Sequence, residues 1–182
     1  KKERKKERKK NERKKTKERK KERNKEQRKK ETKKERKKER KKERGARLDS
    51  FYSSANVCTA ARGGLLTGRY PIRLDIVSDV ARPTNDVHLA EEELSLAEAL
   101  NPLGYQTALF GKWHLGSRIE WSPLTQGFDE YFGVLHSNDM TPLELYRQDQ
   151  MIENPVNQNT LTQRYTQEAV RFIEDNQNDP FF

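Results

Sequence analysis

Cys58-Thr59-Ala60-Ala61-Arg62-Gly63-Gly64-Leu65-Leu66-Thr67-Gly68-Arg69 is the stretch whose reading decides the fold. Thr59 is a suitable cap for a short helix that runs through Leu66 and stops at Gly68. On that helix Cys58 and Arg62 stand one turn apart. Gly63 and Gly64 each weaken it by roughly 1 kcal/mol relative to Ala, a cost that close approach by another backbone would explain. Taken alone, Cys58 reads as a small buried hydrophobe rather than a nucleophile. About fifty residues on lies Gly104-Tyr105-Gln106-Thr107-Ala108-Leu109-Phe110-Gly111-Lys112-Trp113-His114-Leu115-Gly116. Gly104 turns the chain into a strand, Thr107–Phe110, with Lys112 and His114 just beyond its end. By itself this too is an ordinary strand and turn, with Trp113 in the core and Lys112 in solvent.

Charge divides the chain outside these stretches. Of its 39 Lys and Arg residues, 30 fall within residues 1–47 together with 10 Glu, a net of +20. That leaves 9 basic against 19 acidic residues in 48–182, a net of −10. The basic character of the whole therefore belongs to the tail, and it does not make the rest a nucleic-acid binder. The tail is a degenerate Lys-Lys-Glu-Arg repeat from Lys1 to about Arg44 with no apolar residue to bury, which predicts a disordered or solvated helical segment. A period of four stacks like charges at i,i+4, as at Glu3 and Glu7. Three readings of it stand: a solvated charge run, an arm for non-specific polyanion binding, or the translation of a simple purine-rich repeat. No aromatic residue interleaves the charges, so any such binding would be electrostatic and salt-sensitive.

Residues 48–182 have the length of one modest domain. No apolar run approaches the roughly 20 residues that cross a bilayer, and the charged first residues do not read as the apolar core of a secretory signal, so none is expected in this stretch. The single cysteine excludes an intramolecular disulfide framework, and no Asn-x-Ser/Thr sequon hints at export. Tyr70 to Pro83 reads as a surface loop. Glu91 to Leu103 reads as a helix with Leu94, Ala97, Leu100 and Leu103 on or near one face. Residues 160–176 read as an amphipathic helix with Leu161, Tyr165, Ala169, Phe172 and Ile173 on one stripe. Asp179-Pro180-Phe181-Phe182 looks like the start of another core strand. Helices alternating with buried strands predict an α/β layer architecture.

The Cys58–Arg62 stretch, with Ala60 two residues after the cysteine, resembles the signature of the sulfatases, whose cysteine is oxidised to formylglycine. Gly104–Gly116 resembles the second signature of that family, at about its spacing. Gly127-Phe128-Asp129 followed by His136-Ser137-Asn138-Asp139 resembles a third, looser stretch, in which a Ser/Asn/Asp turn is an equally good reading of the residues. The resemblance implies a partial alkaline-phosphatase-like sulfatase catalytic domain over 48–182, preceded by the tail 1–47. It implies a sulfuric ester hydrolase of arylsulfatase type, acting on a sulfate ester and dependent on a formylglycine-generating enzyme as partner.

Residue by residue, the resemblance makes Cys58 the formylglycine and gives Arg62 the task of steadying its hydrate and the metal site. Lys112 would contact the sulfate and balance developing charge, with Ser137 as a further substrate contact. His114 would take the proton from the hydrate, a general-base task that suits an imidazole near neutral pH. The helix that begins at Thr59 would add its positive end to the anion site.

The family also implies a calcium ion held by oxygen ligands from distant segments, and here the chain departs from the pattern. The Asp-Asp pair expected before the cysteine is absent from the sequence, its place taken by the Lys/Glu/Arg repeat. The resemblance places the second ligand set, an Asp followed by Asn or His, in a segment beyond residue 182, so no metal ligand is assigned. An interior slice of a catalytic domain is expected to be marginally stable, because a missing central strand exposes edges, and to have little or no activity alone. Two alternatives stand beside the hydrolase: a related phospho- or sulfo-transfer enzyme with unmodified Cys58, and a non-catalytic interaction protein that uses its basic arm. By family analogy the setting would be lysosomal or secreted.

Overall fold

A computed structural model describes residues 48–182 apart from Ser78, together with Glu22, Asn24, Lys25, Lys29 and Gly45. Two compact units emerge, Lys1–Phe51 and Tyr52–Phe182. In the first, Glu22, Asn24, Lys25 and Lys29 are helical and exposed. The expectation for the rest of the tail lies outside the described residues.

In the second unit the described residues form three α-helices and one four-stranded sheet. The helices are α1 (Cys58–Thr67), α2 (Leu96–Leu100) and α3 (Leu161–Asp175). The strands are β1 (Ala108–Lys112), β2 (Glu130–Val134), β3 (Leu145–Arg147) and β4 (Gln150–Glu153), in spatial order β1-β2-β3-β4. β1 and β2 are parallel, and β2, β3 and β4 are antiparallel. The β1–β2 crossover carries no α-helix, only two 3-10 turns at Ile119–Trp121 and Pro123–Gln126. On its other side β1 has a further parallel partner. Gln106 bridges Phe181, with Gln106 N–H donating to the Pro180 carbonyl at 3.0 Å and Ala108 N–H to that of Phe182 at 3.0 Å. The expected strand at Phe181-Phe182 thus pairs where a continued parallel sheet needs it.

Both faces of the sheet are covered, as a parallel pair requires. Successive residues of β2 point to opposite sides, so Tyr131 joins one core and Phe132 the other. Tyr131 packs with Leu74, Ile76, Leu89, Ala97, Trp113, Leu115, Phe128 and Leu135. Phe132 packs with Val134, Leu143, Leu145, Val156 and Leu161, against Phe110 and Tyr165. Most of the predicted stripe of α3 seals this second face: Leu161 and Phe172 are buried, and Phe172 meets Phe110 edge-on at 5.7 Å between ring centroids. Ile173, also expected on the stripe, is exposed. The result is the expected α/β layering. Each fully buried apolar side chain contributes roughly 2 kcal/mol.

Three local expectations need correction. The helix expected over 91–103 is only α2, followed by a 3-10 turn at Asn101–Leu103. Ser95 fixes its start through a capping box with Glu98 and donates from Oγ to the Gln126 carbonyl at 2.6 Å, which holds the cap in place. Pro102 then interrupts the helical ladder, and Leu94 and Leu103 are left exposed. The Tyr70–Pro83 stretch is not simply a surface loop: Pro71, Leu74, Ile76 and Ala81 are buried. It packs on α1 because Gly63 lacks a side chain, and a methyl there would collide with Ile76 Cδ1 and crowd Leu74 Cδ1. The close approach inferred from the glycines is real, but at Gly63 side chains make it. Finally, α1 starts at Cys58 with Val57 in the capping position and no side-chain cap, so the Thr59 hydroxyl is free for another task. Gly68 ends α1 in the left-handed conformation, at φ 68°.

Candidate active site

Four of the five residues singled out in the sequence come from two neighbouring segments, the first turns of α1 and the C-terminal end of β1. Ser137 follows the C-terminal end of the parallel neighbour β2. This is where a parallel sheet opens a crevice for ligands. Register past the formal strands is held by the main chain, with Trp113 N–H donating to the Val134 carbonyl at 3.0 Å and His114 N–H to that of Leu135 at 2.8 Å. One glycine pair makes the approach possible. Gly111 and Gly133 are direct cross-strand neighbours, and a methyl on Gly133 would overlap the Gly111 carbonyl oxygen.

Arg62 reaches from α1 and donates from Nη1 to the Lys112 carbonyl at 2.7 Å. Lys112 Nζ donates to Ser137 Oγ at 3.3 Å. The helix, β1 and the loop after β2 are therefore joined by side chains that carry two cations. Burial pushes the Arg62 guanidinium below its ordinary value, and the Cys58 thiol one turn away opposes that shift. Cys58, Arg62, Lys112 and Ser137 are all partly exposed, so the cluster opens to solvent. Two half-exposed cations beside a half-exposed thiol suit a small anion.

His114 is different in kind. It is fully buried and sits at φ 63°, a conformation that costs a non-glycine residue about 1–2 kcal/mol. Its Nε2 donates to the Ala81 carbonyl at 3.0 Å, while Nδ1 is buried with no hydrogen-bond partner. Burial is the main cause that lowers its pKa to about 4, with the positive charge of Lys112 next; the Ala81 bond opposes them. The imidazole is consequently neutral at pH 7 and presents one unoccupied lone pair. It is not poised near neutral pH as the sequence suggested, which makes it a weaker base than an ordinary imidazole.

Residues to which the sequence assigned no side-chain role in the site complete the surroundings. His136 is nearly buried and donates from Nδ1 to the Ser137 carbonyl at 3.2 Å. The Ser137 hydroxyl, donating to Asp139, is the main cause that holds that carboxyl below its ordinary value. Ala81 N–H donates to Thr59 Oγ1 at 3.1 Å. The adjacency of His136 and Asp139 to Ser137 was a usable signal in the sequence. Ala81 had none, because it acts through its main chain.

The described residues hold no group of three or more His, Cys, Asp or Glu arranged for a metal ion. They do not fit the calcium site that the resemblance implied, and no chemistry is assigned to a metal here. Among the described residues no helix is long and apolar enough to cross a membrane.

A family model described as Sulfatase matches residues 25–182. Arylsulfatase G of Rattus norvegicus is 34% identical over 163 residues, covering 71% of this chain and 31% of that protein. N-acetylgalactosamine-6-sulfatase of Mus musculus is 37% identical over 163 residues, covering 76% and 31% respectively. Among solved structures, the PsFucS1 sulfatase from Pseudoalteromonas sp. aligns with a TM-score of 0.62 at 26% identity, over 74% of this chain and 34% of that one. Ps i-CgsB, solved in complex with k-i-k-neocarrahexaose, aligns with a TM-score of 0.61 at 25% identity, over 72% and 34%. The chain spans about a third of the length of the relatives it matches.

Proposed function

The chain belongs to the sulfatase family, and from that premise we propose that residues 48–182 carry the nucleophile and sulfate-binding half of a sulfuric ester hydrolase site. The observation that carries the reading is the linkage of Arg62, Lys112 and Ser137 around the first turn of α1, with a neutral, half-unpaired His114 on the same strand end. Cys58 is the residue to be oxidised to formylglycine by a separate formylglycine-generating enzyme. Once formed and hydrated, that group supplies a geminal diol, one hydroxyl to attack sulfur and the other to release sulfate.

The remaining work falls to the chain's own side chains. Lys112 Nζ binds a sulfuryl oxygen, and Ser137 Oγ, already its partner, provides a second polar contact. Arg62 adds positive charge where charge develops on oxygen, in a site whose walls raise its effect above that in water. His114 accepts a proton at Nδ1, the lone pair left open by the bond from Nε2 to Ala81. The substrate is a sulfate ester of arylsulfatase type, in a lysosomal or secreted setting. The boundary at residue 47 belongs to the same proposal. So does the tail's part, for which the net +20 of residues 1–47 supports non-specific, salt-sensitive polyanion binding.

Mass spectrometry of the tryptic peptide from Leu48 to Arg62, after expression with a formylglycine-generating enzyme, tests the central step. Formylglycine at position 58 is expected. An unmodified cysteine under conditions that convert a known sulfatase would refute the hydrolase reading and favour a transfer enzyme that keeps its thiol.

A further inference from the structure

We infer that Thr59 is a positioning residue for His114, acting through the main chain of Ala81 so that the imidazole keeps Nε2 as donor and leaves Nδ1 as the open acceptor. Thr59 follows Cys58 directly, yet its side chain does not cap the helix. It faces inward, fully buried, and accepts the Ala81 N–H at 3.1 Å. Ala81 is fully buried too, so its amide has no water to fall back on. The carbonyl of the same residue accepts from His114 Nε2 at 3.0 Å. Only the φ and ψ of Ala81 lie between the two bonds. A hydroxyl on the nucleophile's helix is thus connected to the ring by two buried hydrogen bonds in series.

The relay matters because, among the described residues, the Ala81 carbonyl is the one hydrogen-bond partner of the ring. His114 Nδ1 has no partner, and the backbone at φ 63° is held by the main-chain bond to Leu135, which leaves the ring's rotation to the Ala81 contact. The charged and titratable groups facing the imidazole are Arg62 from α1, Lys112 from β1, and His136 and Asp139 from the loop after β2. The positive charges of Arg62 and Lys112 favour the neutral ring but do not choose its tautomer. The Ala81 carbonyl does, since a carbonyl only accepts and so requires a proton on Nε2. The meaning of the relay for catalysis rests on the reading of His114 as the base, whereas the relay itself does not.

The test uses no substrate, so it fails or succeeds independently of the formylglycine result. Nitrogen-15 spectra of the full chain at neutral pH are expected to show His114 with a protected Nε2–H and an unprotonated Nδ1, with the resonances assigned by loss in His114→Gln. Thr59→Val removes the acceptor at near-constant shape and leaves the Ala81 amide unpaired. It is expected to speed solvent exchange of the Nε2–H about fivefold or more, the worth of one typical hydrogen bond. Thr59→Ser keeps the hydroxyl and is expected to restore slow exchange, which a purely volumetric role for Thr59 would not predict. If the valine variant does not fold, Thr59→Ala makes the same comparison. A wild-type ring carrying its proton on Nδ1, or unchanged Nε2–H exchange in a folded valine or alanine variant, would overturn the inference.

Discussion

Acidification from pH 6.5 to about 4 should destabilise the Tyr52–Phe182 unit through His114, and the size of the effect follows from the site. The ordinary imidazole value is 6.5, and in the folded chain burial and the Lys112 charge lower it to about 4. In that window the unfolded chain binds the proton and the folded chain does not. Stability therefore falls as pH falls, with the contribution complete above the upper value and exhausted below the lower. At 1.36 kcal/mol per pKa unit the difference amounts to about 3 kcal/mol. Solvent reaching the half-exposed Lys112 end of the cluster screens this to about 2 kcal/mol. Denaturant unfolding across the window, followed by far-UV circular dichroism, gives the slope. His114→Gln supplies the reference, because an amide does not titrate while the depressed carboxylates of Asp79, Glu153 and Glu168, none of which is shifted by His114, contribute equally to both chains. The difference between the two curves should open by about 2 kcal/mol as the pH drops. Parallel curves would mean that His114 is not the buried neutral base described above.

Lys112→Met is expected to weaken binding of inorganic sulfate by about tenfold or more, the loss of one charge-assisted contact. Chemical-shift titration with sulfate measures it, and unchanged affinity would remove Lys112 from the anion site. Gly133→Ala puts a methyl into the Gly111 carbonyl oxygen across the β1–β2 pair, where backbone must give way rather than a flexible side chain. A loss of about 3 kcal/mol is expected, read as a shift in the urea midpoint, and a loss below about 1 kcal/mol would show that the strands separate freely.

Much of this protein was settled by order and spacing along the chain. The Cys58–Arg62 turn, the strand that ends at Lys112 with His114 just beyond it, and the apolar stripe of α3 are each fixed within about fifteen residues, by periodicity and by glycines that end elements. A helix or strand reports its buried face in its own repeat, so the α/β layering could be read directly. Local pattern failed where a distant segment supplied the deciding contact. The Ser95–Glu98 capping box that starts α2 is a local signal that the broader apolar pattern over 91–103 masked, and the Gln126 carbonyl that anchors the Ser95 hydroxyl lies thirty-one residues away. The stretch after Tyr70, read as a surface loop, goes partly inside because Gly63 leaves room for Ile76. Within the candidate site, the residue types were legible, but their states were not. That His114 is buried, neutral and bonded at Nε2 depends on the Ala81 carbonyl and on the Lys112 charge. Proton affinity is set by whatever surrounds a group in space, and only the folded chain brings those surroundings together.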